Sequence, residues 1–119
     1  MTTINDLITI AKENDWSVDS CNFAHDVTGY EFSKYSPAGQ DFVFCVEASN
    51  PGGAESVQVL IGNTLEYIND FDPVEEALKW VGPDGHGANG APHDLRDIVM
   101  DMQDCRTMMQ ELADAWGRL

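Results

Sequence analysis

Six acidic residues near the C-terminus recur at steps of three, four or seven positions: Asp94, Asp97, Asp101, Asp104, Glu111 and Asp114. Side chains three or four residues apart are neighbours on a helix, so this spacing predicts carboxylates along one helix face. With a rise of ~1.5 Å per residue, the row extends over about 30 Å. Nucleic acid is itself a rod of regularly spaced negative charge, so such a row can imitate phosphates for a protein with a Lys- and Arg-lined groove. Solvated helix faces are often charged as well, and the row alone leaves that explanation open.

A second acidic group lies around the predicted junction of two helices and comprises Glu66, Asp70, Asp72, Glu75 and Glu76. It either extends the negative surface or holds a cation. The acidic pattern of a calcium-binding loop is absent, because Pro73 and Val74 follow Asp72. We therefore expect an extension of the acidic surface and no metal.

Two other groups of residues have the chemical types of metal or catalytic sites. One comprises Asp84, His86, His93 and Asp94. Imidazole and carboxylate groups suit divalent metals, but their irregular spacing disfavours a site. The other is Cys21 with His25, which has no sequence pattern for an oxyanion site beside it, and the chain has no G-x-S-x-G. We expect no metal and no cofactor, and we predict that the protein is not an enzyme.

Residues 82–93, GPDGHGANGAPH, have the composition of a loop. They do not match GxxxxGK[ST], nor a GxGxxG between a strand and a helix, and Asp84 and Asp94 would repel a phosphate. The pattern leaves open whether the segment is a hinge, a mobile contact loop or a connector.

Charge is the unusual property of the composition. The 119 residues include 21 Asp and Glu but only 6 Lys and Arg, which gives a net charge of −15. Self-repulsion at this charge lowers stability. Direct binding to DNA, RNA or anionic membranes needs basic patches, so the composition argues against those partners and favours a basic protein. The alternative is that the charge serves solubility alone.

The predicted compartment is the cytoplasm. No apolar run approaches the roughly 18 residues of a membrane helix, and the N-terminal stretch has no basic region of the kind that secretory signals carry. The three cysteines, Cys21, Cys45 and Cys105, are odd in number and far apart, which argues against a disulfide framework. We expect Cys45 and Cys105 to be buried thiols.

Apolar periodicity and turn residues predict the elements that position these side chains. In chain order these are a helix at 3–14, a short strand near 16–22, a β-hairpin at 29–48, a helix at about 54–70, a short helix after Asp72 and a long amphipathic helix from 92 to 116. Thr3 and Asp6 match a capping box. A hairpin alone is marginally stable, so helices must cover its aromatic face. We predict an α+β fold with a small antiparallel sheet, forming a single domain over residues 1–119.

The hairpin carries five aromatic residues: Tyr30, Phe32, Tyr35, Phe42 and Phe44. They either present a docking surface or form the core face of the sheet. Alternation along the strands favours the core.

Three stretches together carry a resemblance to a known group of proteins: YEFSKYSPAGQDFVFCVEA, FDPVEEALKWVG with the glycine-rich segment after it, and the acidic C-terminal helix ending in QELADAW. Over roughly residues 29–116 the chain resembles small acidic proteins encoded on conjugative elements and prophages of gut Firmicutes. The resemblance implies a genetic neighbourhood rich in antirestriction and anti-CRISPR genes. It assigns no functional residues, because no motif in it is tied to an activity.

Together these patterns predict an inhibitor of a basic nucleic-acid-binding defence protein, such as a CRISPR nuclease or a restriction enzyme. The residues expected to contact it are Asp94, Asp97, Asp101, Asp104 and Glu111, with Glu75 and Glu76. The alternative is a non-enzymatic accessory module of a mobile element, which binds a host protein through the hairpin or forms a homodimer.

Overall fold

Three antiparallel strands form the sheet in the order β1-β2-β3 in the computed structural model, which describes residues 1–79 and 94–119. The strands are β1 (Ser17–Ala24), β2 (Val27–Tyr35) and β3 (Asp41–Glu47), and the helices are α1 (Ile4–Glu13), α2 (Val57–Asp70), α3 (Pro73–Leu78) and α4 (Leu95–Gly117). The predicted α+β class, the hairpin, the third strand and the long C-terminal helix are all confirmed. The glycine-rich segment 82–93 lies outside the described residues.

Strand alternation gives the sheet two different faces. On β3 the even-numbered residues Phe42, Phe44 and Val46 are buried, and the odd-numbered residues between them are exposed. The register aligns odd with odd across the three strands, as in Glu31 opposite Cys45, except after an irregularity between Asn22 and Ala24, beyond which Ala24 pairs with Val27. We call the even-numbered positions the inner face and the odd-numbered positions the outer face. The expectation that Cys45 is buried is wrong, because its odd position places it on the outer face.

An aromatic cluster on the inner face joins the sheet to the helices. The Phe32 and Phe44 rings stack with centroids 5.1 Å apart, and Tyr67 of α2 stacks on Phe44 at 5.3 Å. Trp116 of α4 meets Phe32 edge-on at 5.9 Å. Its indole Nε1 also donates a hydrogen bond of 3.0 Å to the backbone oxygen of Leu7 in α1. Trp116 therefore ties the first and last helices to the same core.

The ends of the short elements follow the predicted capping chemistry. Thr3 and Asp6 form a reciprocal capping box at the start of α1. The Asp72 side chain accepts hydrogen bonds from the backbone of Val74 and Glu75, and Pro73 occupies the first turn of α3. This helix packs against α4 through buried Ala77. The position of the α3 N-terminus therefore determines where the second acidic group lies relative to α4.

The long helix α4 buries one stripe of side chains, which includes Ile98, Met102, Cys105, Met109 and Leu112. The opposite side is exposed and carries most of its charged residues. This division matches the predicted amphipathic pattern. Within the described ranges, no helix has both the length and the apolar character needed to cross a membrane.

Candidate protein-binding surface

The exposed side of α4 carries a row of three acidic residues, Asp97, Asp104 and Glu111, which we call the helix row. They recur every seven residues, which is close to two helical turns, so successive positions lie about 10 Å apart along the helix axis. In residues 1–79 and 94–119 the ion pairs are His25–Asp26 and Lys79–Glu76, and neither involves the helix row. The helix row therefore presents uncompensated negative charge to solvent.

Asp101 was predicted to belong to this exposed row, and that prediction is wrong: the residue is only 2% exposed. It lies three residues after Ile98 and four before Cys105, both fully buried, so helical periodicity places it inside the apolar stripe. Neither carboxylate oxygen has a hydrogen-bond partner among the described residues. Because a buried polar group without a partner costs free energy, Asp101 lowers stability and is inaccessible to a partner protein.

Two further acids from the predicted set have local partners. Asp94 is the N-cap of α4, and its side chain accepts a hydrogen bond of 2.9 Å from the backbone N–H of Asp97. Glu76, partly buried on α3, forms an ion pair of 2.8 Å with Lys79. Glu75 is exposed and has no ion pair within the described part of the chain. Of the two α3 acids, Glu75 thus has the more available carboxylate.

A groove of about 850 Å³ runs between the α2–α3 junction and the C-terminal half of α4. We call it the acidic groove, because five carboxylates line it: Asp70, Asp72, Glu75, Glu111 and Asp114. The fold thus brings Glu75 and Glu111 to one groove, although 36 positions separate them in the sequence. Since Glu111 also belongs to the helix row, the row leads directly into the acidic groove.

Arg106 is the one cation among the described residues that line the acidic groove. Its Nε donates a hydrogen bond of 3.2 Å to the backbone oxygen of Ile68, near the C-terminal end of α2. A cation near a helix C-terminus is electrostatically favourable, so this contact stabilises the junction. With five carboxylates and one guanidinium, the acidic groove stays negative and suits Lys or Arg side chains of another protein.

A second hollow, of about 460 Å³, lies at the free edge of β3, and we call it the edge hollow. Four carboxylates and three aromatic rings line it: Glu47, Glu66, Asp70, Glu76, Phe23, Tyr67 and Phe71. It shares Asp70 and Phe71 with the acidic groove, so the two negative depressions adjoin each other. Burial raises the pKa of the Tyr67 hydroxyl, and Glu76 raises it further, so the phenol is neutral at physiological pH.

The thiols of Cys45 and Cys105 are not activated for nucleophilic attack. Burial raises the pKa of the Cys105 thiol to about 12, with a further contribution from Asp101 and Asp104. Loss of hydration raises the pKa of the Cys45 thiol as well, and its proximity to Cys21 raises that pKa further. Since the thiolate is the reactive form, neither group is a strong nucleophile at neutral pH.

The predicted cluster of metal-ligand types falls largely outside the described residues, which include Asp94 but not Asp84, His86 or His93. Within residues 1–79 and 94–119, no three His, Cys, Asp or Glu side chains are grouped in a way that could hold a metal ion. The carboxylates of the two depressions therefore lie around open grooves and do not converge on one point.

The aromatic hairpin divides between core and surface. Tyr30, Phe32, Phe42 and Phe44 are buried on the inner face, as alternation favours. Tyr35 is 70% exposed at the end of β2. The phenol of Tyr30 donates a hydrogen bond of 2.6 Å to Glu55, which ties β2 to the segment before α2. Of the five hairpin aromatic residues, Tyr35 is therefore the one that is available to contact another protein.

Sequence reasoning missed the acidic groove and the charge of the outer face. Asp70 and Asp72 were recognised as acidic, but nothing in their spacing indicates that they face α4. The outer-face acids Asp19, Glu31 and Glu47 could have been found, because strand alternation places them opposite the aromatic side chains. A single sequence contains no comparable signal for which residues of different helices lie close together.

Neither the family descriptions, the curated proteins nor the solved structures compared with this chain give a significant match.

Proposed function

We propose that the protein inhibits a nucleic-acid-binding defence protein, of the anti-CRISPR or antirestriction type, by occupying its basic channel with an acidic surface. The observation that carries the proposal is the helix row leading into the acidic groove, with Arg106 as the one cation among its described lining residues. In this proposal Asp104, Glu111 and Glu75 pair with Lys and Arg side chains that otherwise bind phosphates. Long-range attraction between such surfaces makes association fast and salt-sensitive.

The spacing of the helix row supports imitation of a nucleic-acid strand. Asp97, Asp104 and Glu111 are about 10 Å apart along the axis, so the row presents negative charges at regular intervals, as a nucleic-acid backbone does. A channel lined with Lys and Arg side chains can therefore meet several carboxylates at once. The net charge of −15 disfavours direct binding to nucleic acid and is consistent with competition against it.

The proposal includes neither catalysis nor a cofactor, and it places the protein in the cytoplasm, where defence nucleases act. The resemblance to small acidic proteins of mobile elements supports the same type of partner. The mechanism requires only that the carboxylates be exposed and held on a rigid helix, which the packing of α4 against the sheet and α3 provides.

Charge reversal tests the proposal. The triple variant Asp97→Lys, Asp104→Lys and Glu111→Lys keeps α4 helical, because Lys is a good helix former and all three positions are exposed. We expect the natural chain to inhibit DNA cleavage by an RNA-guided CRISPR nuclease or a type I restriction endonuclease. Inhibition should weaken as salt rises, and the triple variant should lose it at least about a hundredfold.

The control distinguishes the effect of the position of a charge reversal from the effect of the change in net charge. Each single reversal in the helix row is compared with Glu13→Lys, which changes the net charge equally at an exposed site on α1. Circular dichroism checks that all variants stay folded. If the triple variant inhibits as well as the natural chain, or if Glu13→Lys matches the single reversals in the helix row, the acidic surface is not the inhibitory element.

A second candidate function, a non-enzymatic accessory module, is favoured by the exposure of Tyr35. If that function is correct, Tyr35→Ala weakens binding to a host protein, and reversal of the helix row does not. Sedimentation analysis of the purified protein tests the homodimer version.

A further inference from the structure

The outer face of the sheet is an uncovered surface of mixed apolar and acidic character. Phe23, Tyr35 and Val43 are 42%, 70% and 40% exposed. Tyr35 and Val43 lie towards one end of this face, and Phe23 lies towards the other end, beside Gly29. The helices lie against the other face, where the aromatic cluster is buried.

The charge of this face is of one sign. Its thirteen odd-numbered positions, four on β1, five on β2 and four on β3, include Asp19, Glu31, Asp41 and Glu47 and no Lys, Arg or His. Lys34 is the one cation within the three strands, and it lies on the inner face, where its Nζ donates a hydrogen bond of 2.9 Å to the Asn14 backbone oxygen. The strand residues of the outer face thus carry no neutralising group.

Two of these acids are directly opposed in the sheet. Asp19 of β1 pairs with Glu31 of β2, and like charges at opposed positions destabilise a sheet. Folding gains nothing from this pair. A cationic partner lying across the strands would relieve the repulsion, so the arrangement favours docking of a positively charged segment.

Phe23 provides an aromatic surface beside one of the carboxylates. A Cβ atom at Gly29 would collide with the Phe23 ring, so the ring lies directly over this glycine. Glu47 is opposite Gly29 in the register, and both Phe23 and Glu47 line the edge hollow. A guanidinium group stacks on an aromatic face and also pairs with a carboxylate, which an ammonium group does less well.

We propose that the outer face docks an arginine-bearing segment of a protein partner, with one guanidinium held in the edge hollow between Phe23, Glu47 and the α2 acids Glu66 and Asp70. A second copy of this chain is a poor occupant, because apposing two outer faces brings together eight carboxylates, four from each. Nucleic acid and anionic membranes are repelled by the same charge. This surface is separate from the helix row, and the inference does not depend on the proposed inhibition.

The test uses octa-arginine and octa-lysine as probes of the full chain in ¹H–¹⁵N NMR titrations at physiological salt. We expect octa-arginine to shift the amide signals of Phe23, Cys45 and Glu47, and to show nuclear Overhauser effects between its side-chain protons and the Phe23 ring. Octa-lysine should bind this face about two- to fivefold more weakly, because it lacks the stacking contact.

Two variants locate the contact, and two serve as controls. Glu47→Gln should weaken binding of octa-arginine at this face, and Phe23→Leu should remove the preference for arginine over lysine. Asp41→Asn, at the far end of the face, and Asp104→Lys, in the helix row, should leave both properties unchanged. Asp104→Lys also makes the result independent of the proposed inhibition.

Three results would overturn the inference: no shifts on the outer face, equal affinity for the two peptides there, or octa-arginine affinity unaffected by Glu47→Gln. Shifts confined to α4 would likewise show that the outer face is not a docking surface.

Discussion

The inner and outer faces of the sheet are built from alternate residues of the same three strands, yet they have opposite character. On the inner face, the Phe32 and Phe44 rings stack at 5.1 Å, Phe32 contacts Trp116 at 5.9 Å, and Phe44 contacts Trp16 at 5.4 Å. On the outer face, Asp19 and Glu31 oppose each other and no cation of the strands lies beside them. Alternate positions of one strand therefore have different surroundings, so substitutions on the two faces should have different effects on stability.

The largest expected effect is on the inner face. Phe44→Ala removes a ring that stacks on both Phe32 and Tyr67, and it should lower the free energy of unfolding by about 3–5 kcal/mol. Val43→Ala, one residue away on the outer face, should change it by about 0.5 kcal/mol or less. Urea unfolding monitored by tryptophan fluorescence measures both. Equal losses of unfolding free energy in the two variants would contradict this difference between the faces.

A smaller loss of stability is expected from a substitution at Gly29, which lies close to the β3 backbone and to the Phe23 ring. Gly29→Ala places a methyl group against the Val46 backbone oxygen and the Phe23 ring, so β2 and β3 must separate locally. We expect a loss of about 1–3 kcal/mol. Gly62→Ala is the control, because a Cβ atom there meets no neighbour within 4 Å and alanine favours the helix. If Gly29→Ala is neutral, the close approach of the strands is not required.

The same comparison applies to α4, where Asp101 is an acid on the buried side. Asp101→Asn removes a buried charge that has no hydrogen-bond partner in the described part of the structure, so it should raise the free energy of unfolding by about 1–2 kcal/mol. Asp104→Asn, three residues later and exposed, should change stability by less than about 0.5 kcal/mol. Thermal unfolding followed by circular dichroism compares them, and destabilisation by Asp101→Asn would contradict this account.

A smaller gain is expected on the outer face. Asp19→Lys turns the like-charge pair with Glu31 into an opposite-charge pair, and should raise stability by about 0.2–1 kcal/mol. Asp41→Lys makes the same charge change opposite Tyr35, which carries no carboxylate, and should raise stability by a smaller amount. Calorimetry at low and high salt measures both. A gain that is equal at the two positions would reflect net charge alone.

The last expected effect is absent at neutral pH and appears only in alkaline solution. Burial raises the pKa of Tyr30 from 10.0 to about 12, with a further contribution from the hydrogen bond to Glu55, and burial raises the pKa of Cys105 from 9.0 to about 12. Both protons are held more tightly in the folded state. Their stabilisation is therefore complete below about pH 9 and is lost as the pH rises towards 12.

Urea titrations at about pH 8, 10 and 11 measure this loss. In the double variant Tyr30→Phe and Cys105→Ala, which lacks both titrating groups, stability should fall less steeply between those pH values. An unchanged slope would show that other groups cause the alkaline loss.

Most of the fold could be predicted because its signals are local. Thr3 and Asp6 mark the start of α1, Asp72 and Pro73 mark the start of α3, and alternation from Phe42 to Val46 marks β3 with its two faces. Each signal depends on neighbours within about four residues, a range over which backbone geometry is nearly fixed. The spacing of the acids alone misplaces Asp101, because this residue also lies at helical spacing from the buried residues Ile98 and Cys105.

The negative charge, the α+β class and the amphipathic division of α4 follow from the sequence, because composition and periodicity are properties of the chain alone. The positions of Glu75 and Glu111 in one groove, and of Phe23 over Gly29 beside Glu47, come from the packing of the folded chain. These contacts join residues from different elements. Their positions depend on how helices pack on the sheet, which is set by the shapes of many buried side chains together.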